Sequence, residues 1–124
     1  MIERYKRIFF DEDVLPGDTF RLSDKRFHVG KADELIKSSD HKTIQINLEP
    51  VSKWFDRIKI NKEYALGLSE EDVNKPGIWV RDGKFRMLID GWHRAYNLFN
   101  NGKNYMSVYV IDKPEEIKII TIEV

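Results

Sequence analysis

Residues 85–102 read Phe-Arg-Met-Leu-Ile-Asp-Gly-Trp-His-Arg-Ala-Tyr-Asn-Leu-Phe-Asn-Asn-Gly, and this stretch decides how the chain is interpreted. An apolar strand leads into Asp90-Gly91, and His93 and Arg94 then fall in the first turn of a helix that ends near Gly102. This layout gathers an acid, an imidazole, a guanidinium and free backbone N–H groups at one point. Phosphate groups are often bound at strand-to-helix turns of this kind, so the stretch predicts an anion site.

Each residue of the turn has a predicted role. Gly91 permits a positive φ or the close approach of a ligand, and Arg94 can contact two phosphate oxygens at once. His93 can donate to a phosphate or act as a general base. Asp90 can hold a Mg²⁺ ion, orient a reacting hydroxyl, or simply cap the helix. Trp92 is expected in the core or as a lid rather than as a platform for base stacking.

The turn therefore supplies two sets of candidate site residues. The predicted catalytic residues are Asp90 and His93. The predicted residues for nucleotide or phosphate binding are Gly91, Trp92, His93 and Arg94. Purely structural roles stay open, because aspartate is a common N-cap residue, and His93 could lie on the surface or bond to a backbone carbonyl.

Two features outside the turn could contribute to a site. Glu49 follows a predicted strand over 42–48, and it is an accessory carboxylate if that strand lies beside the one that ends at Asp90. The alternative is an exposed acid at a strand end. A basic cluster near Trp54 and Phe55 is either a solvated helix face or a nucleic-acid contact. Its members are Lys53, Arg57, Lys59 and Lys62.

The composition is that of a globular protein. The 124 residues suit one domain, predicted to span 1–124, and the 21 basic residues equal the 21 acidic residues, which argues against a nonspecific nucleic-acid binder. The absence of cysteine excludes disulfides and thiolate chemistry. His28 and His41 fit no metal-ligand spacing, so no metal site is predicted. Without a signal-peptide pattern or an apolar run of about 20 residues, a cytoplasmic protein that does not enter the membrane is expected.

Periodicity and turn signals divide the chain into short elements. Helices are predicted over 32–39, 51–60 and 92–100 and directly after Ser69, and strands over 26–29, 42–48, 78–80, 84–89, 105–111 and 117–124. Asp82-Gly83 is predicted to form the tight turn of a hairpin, and a further turn is predicted over 15–18. The expected fold class is α+β, with a small mixed β-sheet flanked by short helices.

The motif and its setting resemble the ParB/sulfiredoxin superfamily, and more narrowly the ParB N-terminal-like domain. The resemblance is carried by Ile78-Trp79-Val80, the Asp82-Gly83 turn, Phe85 to Ile89, Asp90-Gly91-Trp92-His93-Arg94-Ala95 and Val108 to Asp112. Members show a strand pair, an Asp/Gly-Gly-x-x-Arg motif that opens a helix, and a Val-x-Val strand. The match covers about residues 66–112, within a motif-bearing core of about 42–112 that follows an N-terminal extension of residues 1–41.

The resemblance implies a turn that binds nucleotide phosphates. Relatives include CTP-binding partition proteins, ATP-using sulfiredoxins, an ADP-dependent serine kinase and ParB-like nucleases. By position, Gly91, His93 and Arg94 would touch phosphates, and Asp90 would match the catalytic base or metal contact of the kinase-like relatives. The implied cofactors are Mg²⁺ with ATP, ADP or CTP.

Two departures from the family pattern narrow what the resemblance implies. This chain lacks the Arg-rich second motif of partition proteins and their helix-turn-helix region, so a full partition protein is not expected. Sulfiredoxins need a cysteine where this chain has Trp92, and a chain without cysteine cannot reduce a sulfinic acid by that route.

Three functions are consistent with these patterns. The leading one is a stand-alone ParB-like domain that binds a nucleotide or other phosphate at the Asp90–Arg94 turn, with Mg²⁺-dependent phosphoryl transfer or nucleotide hydrolysis left open. The second is a non-enzymatic DNA- or protein-binding module of plasmid, phage or genome-defence type. The third is a ParB-like nuclease that acts on a phosphodiester through the same residues.

Overall fold

Short strands and helices alternate along the chain in a computed structural model that describes residues 19–22, 25–58 and 60–122. The strands are β1 Thr19–Leu22, β2 Lys25–His28, β3 Thr43–Asn47, β4 Gly77–Asp82, β5 Phe85–Asp90 and β6 Tyr105–Ile111. The helices are α1 Val29–Ser38, α2 Leu48–Ser52, α3 Lys62–Leu66, α4 Glu70–Val73, α5 Trp92–Asn100 and α6 Pro114–Ile120. The turn predicted over 15–18 lies outside the described residues.

Four of the strands form one mixed sheet in the order β3-β6-β4-β5. The central pair, β6 and β4, is parallel, whereas both outer strands are antiparallel to their neighbours. β1 and β2 form a separate antiparallel ribbon. The predicted α+β class with a small mixed sheet and several short helices is therefore confirmed.

The hairpin of β4 and β5 forms at the predicted Asp82-Gly83 turn. Asp82 pairs with Phe85, so two residues connect the strands, and Gly83 has a φ of 61°. Glycine takes such a φ without the steric cost that a β-carbon imposes. At the other end of the hairpin, the register shifts between Ile78 and Trp79. This β-bulge re-aims the last residues of β5 where the chain leaves the sheet for α5.

One hydrophobic core extends over both faces of the sheet. Its fully buried members come from all parts of the described chain and include Leu48, Val80, Leu88, Val108, Ile111 and Ile120. Phe20 and Phe27 of the β1–β2 ribbon belong to the same core. Residues before β3 therefore pack with the motif-bearing sheet.

Helix α5 ends as the sequence predicts. The N–H of Gly102 donates to the carbonyl of Phe99, and the N–H of Lys103 donates to the carbonyl of Leu98. Gly102 has a φ of 81°, so the helix closes in a Schellman motif with glycine at the left-handed position. Along the helix, Ala95 is buried, whereas Phe99 is 39% exposed.

Two predicted elements are wrong. The helix expected over 51–60 begins earlier, at Leu48, and ends at Ser52, after which the chain continues in turns. The side chain of Asn47 caps this helix by accepting a hydrogen bond from the backbone N–H of Glu49. Pro50, which the sequence suggests as the end of the preceding strand, instead lies in the first turn of the helix. The strand expected over 117–124 is helix α6 up to Ile120, with Pro114 in its first turn. Residues 123–124 lie outside the described part.

The lengths and compositions of the helices bear on the expectation that the protein does not enter the membrane. Within the described ranges, none of them combines the length and the apolar character that a bilayer-spanning helix requires.

Candidate functional site

The turn between β5 and α5 presents an uncapped helix N-terminus. Gly91 is the N-cap residue, with a φ of 102°, and no side chain of the described residues caps the helix. The first hydrogen bond of the helix joins Ala95 N to Gly91 O at 2.9 Å. The N–H groups of the three residues between them, 92–94, therefore have no acceptor within the helix. Asp90 does not fill the alternative role of a helix cap, because it is the last residue of β5 and Gly91 is the N-cap residue.

Gly91 is required by the protein's own packing. A β-carbon at this position would lie 2.9 Å from Met106 Cε and 3.2 Å from Gly77 Cα. The positive φ adds a second reason for glycine. In the structure, the groups that approach Gly91 closely are Gly77 and Met106.

Arg94 is held by three hydrogen bonds. Its Nη1 donates to the carbonyls of Lys75 and Pro76, at 2.9 and 2.8 Å, and its Nη2 lies 3.2 Å from Asp90 Oδ2. The side chain is 19% exposed, whereas that of Asp90 is 42% exposed. The guanidinium thus fastens the loop before β4 to the start of α5, and its position is fixed before any ligand arrives.

His93 uses one ring nitrogen for a structural contact. Its Nε2 accepts a hydrogen bond from the backbone N–H of Asn61, at 3.2 Å, and its ring meets Tyr64 edge-on. Burial, and then the positive charge of Arg94, lower the pKa of His93 from its ordinary value of 6.5. The neutral ring that accepts from Asn61 carries its proton on Nδ1.

The lowered pKa of His93 makes stability depend on pH. As the pH is lowered below about 6.5, His93 takes up a proton in the unfolded chain before it does so in the folded chain. The free energy of unfolding therefore decreases as the pH decreases, until the pH is below the pKa of His93 in the folded chain. We expect His93→Gln, which can still accept from Asn61, to reduce this slope. Urea unfolding at several pH values between about 7.5 and 5 checks it. Equal slopes in both proteins would contradict the expectation, and His28→Gln is the control.

Trp92 lies in the core, as its predicted structural role requires. Its side chain is 7% exposed, and its Nε1 donates to the carbonyl of Leu88 at 2.9 Å. The ring of Phe20 stacks on it, and that of Phe55 meets it edge-on. Its backbone N–H belongs to the uncapped turn, whereas its ring faces a groove described below.

Glu49 is not brought beside Asp90. The strand that precedes it, β3, is at one edge of the sheet, while β5 is at the other, with β6 and β4 between them. Glu49 is exposed in the first turn of α2, and its backbone N–H donates to Asn47 Oδ1. The condition under which it was expected to join the site is not met.

The remaining histidines have structural partners. His28 Nδ1 accepts from the backbone N–H of Lys31 and caps α1. His41 Nε2 lies 3.0 Å from Glu116 Oε2, and both side chains are largely buried. This second contact joins the end of α1 to α6, and no spacing in the sequence indicates it. Among the described residues, no group of three or more metal-ligating side chains comes together.

The basic cluster stacks on aromatic rings. The Arg57 guanidinium lies 5.4 Å from the centre of the Trp54 ring, and Lys62 Nζ lies 6.0 Å from that of Tyr96. Such cation–π contacts orient these charges toward the aromatic side chains. Lys53 is exposed, and Lys59 lies outside the described residues.

A groove beside the turn was not predicted. It has a volume of about 420 Å³, and all three tryptophans of the chain line it, together with Arg81 and Arg86. Trp54 follows α2, Trp79 lies on β4, and Trp92 starts α5. The tryptophans are far apart in sequence, so their convergence depends on the sheet topology.

The turn combines unsatisfied N–H donors, a fixed guanidinium and a partly exposed carboxylate, which is an arrangement that can hold a phosphate with or without a metal ion. Comparison of the chain with protein-family models, with curated proteins and with solved structures found no match.

Proposed function

We propose that this protein is a ParB-like domain that binds a nucleotide or another phosphate-bearing ligand at the Asp90–Arg94 turn. The observation that carries this proposal is the uncapped start of α5, where the N–H groups of residues 92–94 lack an acceptor within the helix. These donors lie at the positive end of the helix dipole, beside the fixed guanidinium of Arg94. A phosphate bound there would accept from groups that need little rearrangement.

Asp90 sets the charge requirement of this site. Its Oδ2 lies 3.2 Å from Arg94 Nη2 and offsets part of the guanidinium charge that would attract a phosphate. Asp90 would be the residue that holds a Mg²⁺ ion, whose charge would offset the repulsion between this carboxylate and a bound phosphate. Mg²⁺ is commonly bound through one or two carboxylates plus substrate phosphates, so one partly exposed carboxylate fits that ion. The ligands that the family resemblance implies, ATP, ADP or CTP with Mg²⁺, meet this charge requirement.

Catalysis at this turn would rest on Asp90 more than on His93. The Nε2 of His93 already accepts from Asn61, so it is not free to take a proton from a substrate. The Asp90 carboxylate is 42% exposed and could orient a reacting hydroxyl. Binding is the core of the proposal, and phosphoryl transfer or nucleotide hydrolysis through Asp90 is its extension.

The charge requirement gives a direct test with Asp90→Asn. The wild-type protein should bind ATP at least about tenfold more tightly with Mg²⁺ than without it, because the ion cancels the repulsion. The variant keeps an oxygen for Arg94 but has no negative charge, so its affinity should no longer depend on Mg²⁺. Calorimetric titration with ATP, ADP and CTP, with and without Mg²⁺, measures both effects.

Asp82→Asn is the matched control, because it removes the same charge at the end of β4, next to the hairpin turn and at the other end of the hairpin from Asp90. It should bind nucleotide as the wild type does. Absence of heat with all three nucleotides and Mg²⁺ would overturn the proposed function. So would an Asp90→Asn protein that keeps the Mg²⁺ dependence of the Asp82→Asn control.

A further inference from the structure

The groove beside the turn has one sheet face as its floor. Trp79 and Arg81 of β4 are paired with Leu88 and Arg86 of β5, so these four side chains share that face. Ile44 of β3 lies on the same face, because it pairs with Val108 of β6, which in turn pairs with Gly77 of β4. Ile44 is 40% exposed. The open side of the groove thus shows apolar and aromatic surface beside arginines.

The charges of the groove are unbalanced. Arg81 and Arg86 are direct partners across β4 and β5, and like charges in such a pair repel each other. Arg81 has an ion pair with Asp112, at 2.7 Å, whereas Arg86 is exposed and its side chain has no hydrogen bond or ion pair with a described residue. Among the described residues that line the groove, none is acidic. An anion near Arg86 would relieve this repulsion.

The walls of the groove are suited to a flat ring. Trp79 is only partly buried, and Trp92 is held by the hydrogen bond from its Nε1 to Leu88 O. The third tryptophan, Trp54, carries the Arg57 guanidinium 5.4 Å from its ring centre. Aromatic side chains of this kind bind planar rings by stacking, and nearby guanidinium groups add to that binding. The volume of about 420 Å³ is that of a small-molecule site.

From these observations we infer that the groove binds a nucleotide unit, with the base against the partly buried Trp54 and Trp79 and the phosphate at Arg86. This site is separate from the phosphate site proposed at the start of α5. The two share only Trp92, whose N–H belongs to the turn and whose ring belongs to the groove. The nucleotide is either free or part of a single strand, because both carry the same ring and phosphate.

The three tryptophans allow a direct measurement, because every tryptophan of the chain lines the groove. Adenosine monophosphate should quench the fluorescence in a saturable way. Adenosine, which has the ring alone, should bind at least about fivefold more weakly. Ribose 5-phosphate, which has the phosphate alone, should leave the fluorescence unchanged. A short single-stranded oligothymidylate that binds more tightly, with an affinity that falls as salt rises, would place the nucleotide in a strand.

Arg86→Gln tests the anion contact without disturbing a described hydrogen bond. It should weaken adenosine monophosphate binding at least about fivefold, while Lys84→Gln, which removes the same charge from the hairpin turn, should not. Trp79→Phe should reduce both the quenching and the affinity. Equal affinity in Arg86→Gln and Lys84→Gln would overturn the groove site. So would ribose 5-phosphate or adenosine binding as well as the complete nucleotide, or no saturable quenching by nucleotide or oligothymidylate.

The two sites fail independently. Inorganic tripolyphosphate with Mg²⁺ has no ring, so its binding reports the turn and should be unchanged in Arg86→Gln. If tripolyphosphate does not bind while adenosine monophosphate still quenches, the turn proposal fails and the groove stands. If tripolyphosphate binds and adenosine monophosphate quenches no more than tripolyphosphate does, the groove proposal fails and the turn proposal stands.

Discussion

Replacing Arg94 with alanine is expected to lower the free energy of unfolding by about 3 kcal/mol. The substitution removes two hydrogen bonds to the carbonyls of Lys75 and Pro76 and the ion pair with Asp90. It also leaves those carbonyls without their charged donor in a partly buried place. Chemical denaturation with urea measures the change through the shift of the unfolding midpoint.

Arg86→Ala is the matched control for this loss, because Arg86 is exposed and its side chain has no hydrogen bond to a described residue. We expect its effect on stability to stay within about 0.5 kcal/mol. Arg94→Lys should fall between the two, since a lysine keeps the charge but not the fork of donors. If Arg94→Ala and Arg86→Ala are equally stable, the three contacts of Arg94 do not hold the loop. The same loss of stability means that Arg94→Ala is a poor test of ligand binding.

A second large effect is expected for Gly77→Ala, at the start of β4. An added β-carbon would lie 2.6 Å from the carbonyl oxygen of Asp90, and 3.0 Å from Met106 Cε. The carbonyl is backbone in a paired strand, so the clash can be relieved only by moving β4 away from the turn. We expect a loss of about 3 kcal/mol in the free energy of unfolding, at the upper end for overpacked sites.

Gly83→Ala is the comparison for Gly77→Ala. A β-carbon at Gly83 meets no atom of the described residues within 4 Å, so among these residues only the positive φ of 61° opposes the substitution. The cost there should be about 1 kcal/mol. Thermal or urea unfolding of both variants separates a steric clash from backbone strain. Equal losses would show that the crowding around Gly77 is relieved at little cost.

The sequence predicts best where a local signal decides the structure. The Asp82-Gly83 turn, the start of α4 directly after Ser69 and the end of α5 near Gly102 are each confirmed, because turn and cap preferences act within a few residues. The strand over 105–111 has the predicted bounds. The predictions for α2 and α6, which depend on tertiary packing, are wrong in position for α2 and in type for α6.

The candidate site is less predictable because the side chains of His93 and Arg94 form hydrogen bonds with the backbone of other segments. The sequence places Asp90, His93 and Arg94 together, and they do lie in one turn. It gives no sign that Arg94 binds the carbonyls of Lys75 and Pro76, since a backbone acceptor can be any residue. The groove is hidden for a related reason, because its tryptophans come from separate elements.

The order of strands has a consequence for how the chain is assembled during synthesis. β4, β5, α5 and β6 are continuous in sequence, so this unit can form as soon as residues 77–111 have left the ribosome. β3 is made much earlier, yet its register pairs Asn47 with Tyr105 in β6. The apolar residues around β3 must therefore wait for most of the chain, and this interval exposes the nascent protein to wrong pairing.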